Sequence, residues 1–254
     1  MKKCTKLIVA SAVLVGTAAA TVALIGYNNL RSQSVTLPRG FTVTAHTGCE
    51  GTDDNSLEAI RKGYESGADI VEFDLNFTAD GSPVLAHDSA EEYSVSLDEA
   101  FALIAELEGL YVNVDCKKTD NLSEVASLAE KYGIKDRIFY TGIEEKDVNA
   151  VNTQTPEVTY WLNVDVSRSK KNDTQYINSL CDKVISCGAV GINLNHKSCS
   201  EELVRVFHER GLLVSIWTVN SEYDMMKTLG YGADNITSRN PSKLKEIIEI
   251  KTGK

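Results

Sequence analysis

Two histidines and two carboxylates lie near the start of this chain in a pattern that could do chemistry. His46 and His87 each follow a short apolar run that predicts a strand, and Glu72 and Asp74 lie two residues apart on another. Alternate residues of a strand point to the same face, so the two carboxylates share one face. Two imidazoles can transfer protons, and two carboxylates can hold a hard cation. This combination indicates cleavage of a phosphodiester.

Further candidates follow later apolar runs. Asp115 and Lys117 end the run Val112–Lys117, and Trp217 lies near the end of another. Asp115 would complete a set of three carboxylates with Glu72 and Asp74, and oxygen ligands suit Ca²⁺ or Mg²⁺ better than Zn²⁺. Lys117 shares the face of Asp115 and could bind a phosphate oxygen, although the two residues could equally form an ion pair. Trp217 is either a core residue or an apolar wall for a substrate.

The elements that must position these residues alternate along the chain. Apolar runs rich in β-branched residues predict strands, and amphipathic stretches predict helices between them. Strands are predicted over 42–46, 69–75, 83–87, 111–116, 137–141, 158–164, 189–195, 213–219 and 234–237. Helices are predicted over 55–66, 96–107, 122–132, 144–152, 173–186, 200–210, 221–230 and 241–251. This alternation favours a parallel sheet closed into an α/β (β/α)8 TIM barrel, whose active site lies where the strands end.

One of the nine predicted strands cannot belong to the barrel. Only residues 76–82 separate 69–75 from 83–87, and Asp80-Gly81 within them is a turn signal. A parallel crossover needs a dozen residues or more. We therefore interpret 83–87 as an excursion that carries His87 over the barrel mouth, which leaves eight barrel strands.

The N-terminal region differs in composition from the rest. Residues 1–6 form a basic tip, and residues 7–25 carry no charge. A run of this length approaches the ~20 residues that span a bilayer, which favours a transmembrane anchor over a cleaved signal segment. The preceding lysines favour a cytoplasmic N-terminus and an extracytoplasmic catalytic domain. A polar linker over 26–40 would then lead into one domain over 41–254, which would instead be secreted if the segment were cleaved.

The charge of the chain argues against one class of partner, and its cysteine spacing does not indicate a zinc site. Residues 35–254 carry 22 basic and 36 acidic side chains, an excess that argues against nucleic acid as a partner. Five cysteines follow residue 40 without zinc-type spacing. Cys116 in an apolar strand indicates a small buried side chain, while Cys181 and Cys187 could pair outside the cell. His196 and His208 lack acidic neighbours of the kind found around His46.

In their order along the chain, these residues resemble the glycerophosphodiester phosphodiesterase family. The similarity covers residues 41–250 and is most specific early. The matching pieces are His46-Thr47-Gly48, Asp54-Asn55-Ser56, Gly67-Ala68-Asp69, Glu72-x-Asp74, Asp80-Gly81-x-Pro83-Val84, His87-Asp88, Asn113-x-Asp115-x-Lys117, Trp217-Thr218-Val219-Asn220 and Asn235-Ile236-Thr237-Ser238 with Pro241.

The resemblance implies a TIM barrel, one divalent cation and hydrolysis of a glycerophosphodiester to glycerol 3-phosphate and an alcohol. His46 and His87 would be the acid/base pair, and Glu72, Asp74 and Asp115 would bind the metal. Contacts to a small or lipid-linked substrate would come from the residues Lys117, Trp217 and Thr47.

Several positions depart from the family pattern. Thr47 stands where the family has arginine, Asp54 and Asp115 where glutamate is usual, and Ser238 where aspartate is typical. Threonine cannot replace the charge and bidentate donors of arginine, and the insertion after the second histidine is nearly absent. Two alternatives therefore stay open: a degenerate barrel that only binds a phosphorylated ligand, and an enzyme that cleaves lysophospholipids to a cyclic phosphate.

Overall fold

A closed barrel of eight parallel strands forms the centre of the molecule. The computed structural model describes residues 26–89 and 94–253. The barrel strands are β1 (Thr42–Ala45), β2 (Ile70–Phe77), β4 (Tyr111–Cys116), β5 (Ile138–Ile143), β6 (Tyr160–Asn163), β7 (Gly191–Asn195), β8 (Leu213–Trp217) and β9 (Asn235–Ser238). β1 pairs in parallel with both β9 and β2, which closes the sheet. The predicted (β/α)8 barrel is confirmed.

The ninth strand lies outside the barrel, as predicted. Among the described strands β3 (Pro83–Leu85) pairs with β2 alone, in antiparallel fashion, with Leu85 opposite Leu75, and Val84 also forms a single bridge to Ser96. The next residue, Ala86, donates its backbone N–H to the Asp74 carbonyl oxygen at 3.0 Å. This contact brings the chain back along β2, so that His87 follows directly beside Asp74.

Eight helices within the described residues follow the strands around the barrel. They are α1 (Leu57–Glu65), α2 (Leu97–Glu106), α3 (Leu122–Lys131), α4 (Val148–Gln154), α5 (Thr174–Cys187), α6 (Glu201–Glu209), α7 (Glu222–Leu229) and α8 (Pro241–Thr252). Residues at the N-termini fix where the helices begin. Ser96 and Glu99 form a reciprocal capping box before α2, and Pro241 lies in the first turn of α8. α4 begins four residues later than predicted because Glu144 and Asp147 form a turn before it.

Residues 26–32 form a helix where we predicted a polar linker. Tyr27 and Leu30 pack against the apolar core, and the Tyr27 hydroxyl donates to Glu222 Oε1 at 3.1 Å. The Lys251 side chain is only 2% exposed and donates to the carbonyl oxygens of Leu30 and Gln33. This segment is therefore part of the folded domain.

The predicted anchor over residues 7–25 lies outside the described residues. Within residues 26–89 and 94–253, no helix combines the length and apolar character needed to cross a bilayer.

The five cysteines after residue 40 are all buried and unpaired. Cys181 and Cys187 lie on α5 six residues apart, a rise of about 9 Å along a helix, which is too far for a disulfide. Cys116 is a buried side chain in β4, as predicted.

Candidate active site

The eight site residues predicted from the sequence line one cavity at the carboxyl ends of the barrel strands, an end of the molecule that we call the mouth. The cavity has a volume of about 590 Å³. Its lining includes all eight predicted residues: His46, Thr47, Glu72, Asp74, His87, Asp115, Lys117 and Trp217. The cavity also contains Asp54, Asp88, Thr141, Asn163, Asn193, Thr218 and Arg239. Residues predicted from five separate segments of the sequence thus lie together in one site.

Strand register brings the three carboxylates together. β2 and β4 pair so that Asp74 lies opposite Asp115 and Glu72 opposite Asn113. The Asn113 amide donates to Glu72 Oε2 at 3.1 Å, and the Thr141 hydroxyl donates to Asp115 Oδ1 at 2.9 Å. Polar side chains within the barrel therefore orient two of the three carboxylates.

Lys117 lies between two of these carboxylates. Its Nζ is 2.9 Å from Asp74 Oδ1 and also donates to Asp115 Oδ2. Burial acts to lower the pKa of Lys117, but Asp115 and Asp74 outweigh it and raise that pKa, so the ammonium stays charged. The ion pair that the sequence left open is present, and in this arrangement Lys117 neutralises carboxylates.

The carboxylates differ in protonation tendency. Burial, followed by the charges of Asp115 and Asp74, raises the pKa of Glu72 well above its usual range. Burial also acts to raise the pKa of Asp74, but the ion pair with Lys117 and a hydrogen bond from Asn55 leave it lower than usual. Glu72 is therefore the carboxylate that lacks a compensating cation.

The two histidines have different surroundings. The His46 ring is largely buried, and its Nδ1 is 2.8 Å from the Thr47 carbonyl oxygen, which fixes the proton on Nδ1. Its Nε2 lies 3.7 Å from Glu72 Oε1. Burial lowers the pKa of His46, which keeps the ring neutral at neutral pH with an available lone pair on Nε2.

His87 is much more accessible. Its side chain is 65% exposed, and Nδ1 lies 2.7 Å from Asp88 Oδ1. The Asp88 carboxylate orients the ring and leaves Nε2 as the free nitrogen. The buried His46 and the exposed His87 thus both leave Nε2 free in the same cavity, but in different surroundings.

The donor set fits a hard divalent cation, although the described residues contain no group of three His, Cys, Asp or Glu side chains already arranged around a metal position. Glu72, Asp74 and Asp115 supply only oxygen donors, the type that Ca²⁺ and Mg²⁺ prefer. Three carboxylates face one lysine, and the pKa of the buried Glu72 is raised by burial and by the other two. A cation among these oxygens would remove that imbalance.

The Thr47 hydroxyl is bonded to Asn55. The residue is buried, and its Oγ1 accepts a hydrogen bond from the Asn55 backbone N–H at 2.5 Å. Asn55, which adopts a left-handed backbone with φ 57°, donates from Nδ2 to Asp74 Oδ2 and accepts from the Asp74 backbone N–H, both at 2.9 Å. Thr47 therefore supports Asn55, which in turn positions Asp74.

Arg239 is a charged residue at this site that the sequence reasoning missed. It lies in the loop between β9 and α8, and it donates from Nη1 to Asp54 Oδ1 at 2.6 Å and from Nη2 to Oδ2 at 3.1 Å. The only sequence signal was its position one residue after Ser238, in the segment that resembles the closing motif of the family.

Trp217, His196 and His208 have different surroundings. Trp217 lines the cavity, with a buried indole Nε1 that has no hydrogen-bond partner among the described residues. His196 lies outside this cavity, 3.8 Å from Asp224 Oδ2. His208 is a surface residue, as predicted, and pairs with Asp234 at 2.9 Å.

Comparison with known proteins identifies the family. The model of the glycerophosphoryl diester phosphodiesterase family matches residues 39–103 and 104–243. A glycerophosphodiester phosphodiesterase from Caldanaerobacter subterraneus subsp. tengcongensis is 22% identical over 240 residues, which cover 81% of this chain and 97% of that protein.

Solved structures share the fold. A putative glycerophosphoryl diester phosphodiesterase from Silicibacter pomeroyi superposes with a TM-score of 0.70 at 20% identity, over 86% of this chain and 95% of the other. A phosphodiesterase from Oleispira antarctica, solved with the product sn-glycerol-3-phosphate, has a TM-score of 0.68 at 19% identity, over 84% and 97%. Because the family model covers most of the barrel, this chain belongs to the glycerophosphoryl diester phosphodiesterase family and is a phosphoric diester hydrolase.

Proposed function

We propose that this protein hydrolyses glycerophosphodiesters, or lipid- or polymer-linked relatives, to glycerol 3-phosphate and an alcohol with the help of one divalent cation. The observation that carries the proposal is the single cavity in which His46, His87, Glu72, Asp74 and Asp115 all take part. The neighbour solved with sn-glycerol-3-phosphate has the same fold, which supports a product of this class.

The two histidines would divide the proton transfers. His46 keeps Nδ1 protonated against the Thr47 carbonyl, so its Nε2 can accept a proton from the attacking hydroxyl. The attacking group is a water molecule, or the 2-hydroxyl of the glycerol, in which case water then opens the cyclic phosphate to give glycerol 3-phosphate. His87, oriented by Asp88, would donate a proton to the leaving alcohol oxygen. The exposed position of His87 suits a leaving group that extends into solvent.

Glu72, Asp74 and Asp115 would hold the divalent cation, Ca²⁺ or Mg²⁺. When bound, the cation supplies positive charge that offsets the negative charge developing on the phosphoryl oxygens. Asn55 and Asn113 keep the carboxylates in place through hydrogen bonds to Asp74 and Glu72. Trp217 would give the cavity one apolar wall.

The location of the enzyme forms part of the proposal. Residues 7–25 are uncharged and long enough to anchor the chain in a membrane, with the barrel on the extracytoplasmic side. Such an anchor would bring the barrel to lipid-linked substrates.

A direct assay tests the proposal. The purified full-length protein should release glycerol 3-phosphate from glycerophosphoethanolamine with Ca²⁺ or Mg²⁺, and EDTA should stop the reaction. His46→Ala and His87→Ala should each lose at least about 100-fold in kcat, the usual range for a general acid or base. His208→Gln is the matched control because His208 is a surface histidine paired with a carboxylate.

The products separate this proposal from its alternatives. Phosphorus NMR that detects a cyclic phosphate as the final product would indicate a lyase acting on lysophospholipids. Binding of glycerol 3-phosphate without turnover of any diester would indicate a barrel that only binds ligand. Turnover that is insensitive to both EDTA and His46→Ala would contradict the mechanism.

A further inference from the structure

The residue that follows His46 in the sequence, Thr47, carries no positive charge. Thr47 cannot contact a phosphate as a cation would, and its hydroxyl is already engaged by Asn55. Lys117 is held between Asp74 and Asp115. A phosphodiester entering the cavity therefore meets neither of these groups as a free cationic donor.

Arg239 reaches the region beside His46 from the loop after β9, the strand that pairs with β1. An ideal Cβ placed on Gly48, which follows Thr47, would lie 2.7 Å from Arg239 Nη1. The guanidinium therefore lies directly against the turn after His46. Arg239 and His46 also line the same cavity.

The backbone of Arg239 is held at both of its polar groups. Its N–H donates to Asn220 Oδ1 at 2.9 Å, and its carbonyl accepts the Glu50 backbone N–H at 2.8 Å. Asp54 then fixes the side chain through two hydrogen bonds. The resulting guanidinium is preorganised at the edge of the cavity.

The guanidinium retains donors for a ligand. Of its five N–H bonds, two are directed to Asp54, which leaves three. The side chain is 38% exposed, so these donors can reach an anion in the cavity without desolvating a buried charge.

We propose that Arg239 binds the phosphate of the substrate and takes the place of the arginine that Thr47 replaces, with Asp54 as its positioning residue. The inference rests on the proposed function, because it assigns a phosphate contact within that same site. The bidentate geometry of a guanidinium suits two phosphoryl oxygens, which a lysine at this position could not match.

The test compares two arginines that have similar surroundings. Arg239→Met and Arg239→Lys are compared with Arg210→Met, since Arg210 is 35% exposed, pairs with Asp182 at 2.7 Å and does not line the cavity. Full-length protein with Ca²⁺ is assayed for kcat and KM on glycerophosphoethanolamine, for glycerol 3-phosphate affinity by calorimetry, and for thermal unfolding. A lost charge-assisted contact should weaken glycerol 3-phosphate binding and raise KM roughly 10- to 100-fold for Arg239→Met.

Arg239→Lys should recover part of the affinity, and Arg210→Met should match the wild type. Asp54→Asn should weaken binding less than Arg239→Met and add little to it in the double variant, because both act through one guanidinium. If Arg239→Met lowers only the unfolding temperature and leaves KM and glycerol 3-phosphate affinity unchanged, Arg239 merely ties two loops together and the proposal is wrong. Absence of turnover in the wild type would defeat the proposed function instead, and the binding measurement would still decide the role of Arg239.

An independent observation concerns the direction from which the chain enters the barrel. Helices of the barrel begin at the mouth, and α7 begins with Glu222. Tyr27 contacts Glu222, whereas Leu30 and Gln33 contact Lys251 near the far end of α8. Residues 26–33 therefore run from the mouth side toward the opposite end of the barrel.

Few residues separate the apolar run from the barrel along the sequence. The apolar run ends at residue 25, and Tyr27 already packs on the domain. A bilayer that holds residues 7–25 would therefore lie next to the mouth side of the barrel. We infer that the mouth faces the membrane and takes phosphodiesters of lipid headgroups, an inference that also rests on the proposed function and its anchor.

Moving the anchor tests this orientation. α8 ends at the side opposite the mouth, so a variant with residues 1–25 deleted and the same apolar run appended after residue 254 would turn the mouth away from the bilayer. Both forms, bound to phosphatidylcholine vesicles that contain a lysophospholipid, are assayed with that lipid and with soluble glycerophosphoethanolamine. Equal rates on the soluble diester and at least a 10-fold faster rate on the lipid for the natural form are expected.

Equal rates of both forms on the lipid would overturn the orientation, and so would failure of the natural form to float with the vesicles. Loss of soluble turnover in both forms would count against the proposed function, not against the orientation. Tyr27→Phe combined with Lys251→Met, which releases the entry segment, should reduce lipid turnover while soluble turnover persists.

Discussion

Replacing Lys117 by methionine should destabilise the metal-free protein and make its stability depend strongly on divalent cations. The Lys117 ammonium pairs with Asp74 and Asp115, whose side chains are largely buried. Removing one partner of a buried ion pair costs about 3–5 kcal/mol. Because Lys117 is 25% exposed, water offsets part of the loss, and we expect about 3 kcal/mol. For a domain of this size, that corresponds to roughly 6–12 °C in the unfolding midpoint.

A cation should recover much of this loss. Ca²⁺ or Mg²⁺ that binds only the folded state stabilises it by about 2.7 kcal/mol at a hundred times its Kd. With Lys117 removed, the carboxylates no longer share their oxygens with an ammonium, so the cation should bind Lys117→Met more tightly than the wild type. Thermal unfolding in EDTA and across a CaCl₂ or MgCl₂ titration measures both effects without relying on activity.

Lys146→Met provides the matched control. Lys146 pairs with Glu144 at 2.8 Å on the surface, with most of both side chains in solvent, so its loss should cost under about 1 kcal/mol and leave the cation response unchanged. If Lys117→Met is as stable as the wild type in EDTA, or if both respond equally to the cation, the three carboxylates do not form the site described above.

Two further predictions concern the scaffold. Gly142 and Gly133 both have a left-handed backbone, but a Cβ on Gly142 would lie 2.4 Å from the Cys116 carbonyl oxygen, while one on Gly133 would meet no atom within 4 Å. Gly133→Ala should therefore lower the free energy of unfolding by about 1 kcal/mol and Gly142→Ala by at least about 3 kcal/mol. Urea unfolding measures both. Burial raises the pKa of Cys49 to about 11 and that of Cys199 to about 12, so both should resist iodoacetamide in the native protein at pH 8 and react in urea, as mass spectrometry would detect.

The parts of the structure that could be predicted share a physical origin. Alternating strands and helices predict a barrel because each helix must cover the sheet that its own strands form. Parallel strands then place their carboxyl ends at one mouth, so His46, Glu72, Asp74 and Asp115 had to converge even though they lie far apart in the sequence. The short spacing before residue 83 was sufficient to exclude that strand from the barrel.

The parts that could not be predicted depend on loop paths. Arg239 enters the site because the loop after β9 folds over the turn after His46, where Asp54 receives its guanidinium. Asn55 links Thr47 to Asp74 only through a left-handed backbone conformation. Neither arrangement follows from strand periodicity. The helix over 26–32 was missed for a similar reason, since its polar composition conceals the packing of Tyr27 and Leu30.

The balance of charge at the mouth has a consequence for the order of binding. Glu72, Asp74 and Asp115 face the single ammonium of Lys117, and Asp54 offsets Arg239. A phosphodiester is itself an anion, so it would approach a surface with an excess of carboxylates. One divalent cation cancels that excess and leaves the remaining donors of Arg239 to attract the phosphate. We therefore expect glycerol 3-phosphate to bind only when the cation is present. Equal affinity in EDTA and in Ca²⁺ would show instead that Arg239 alone is sufficient for anion binding.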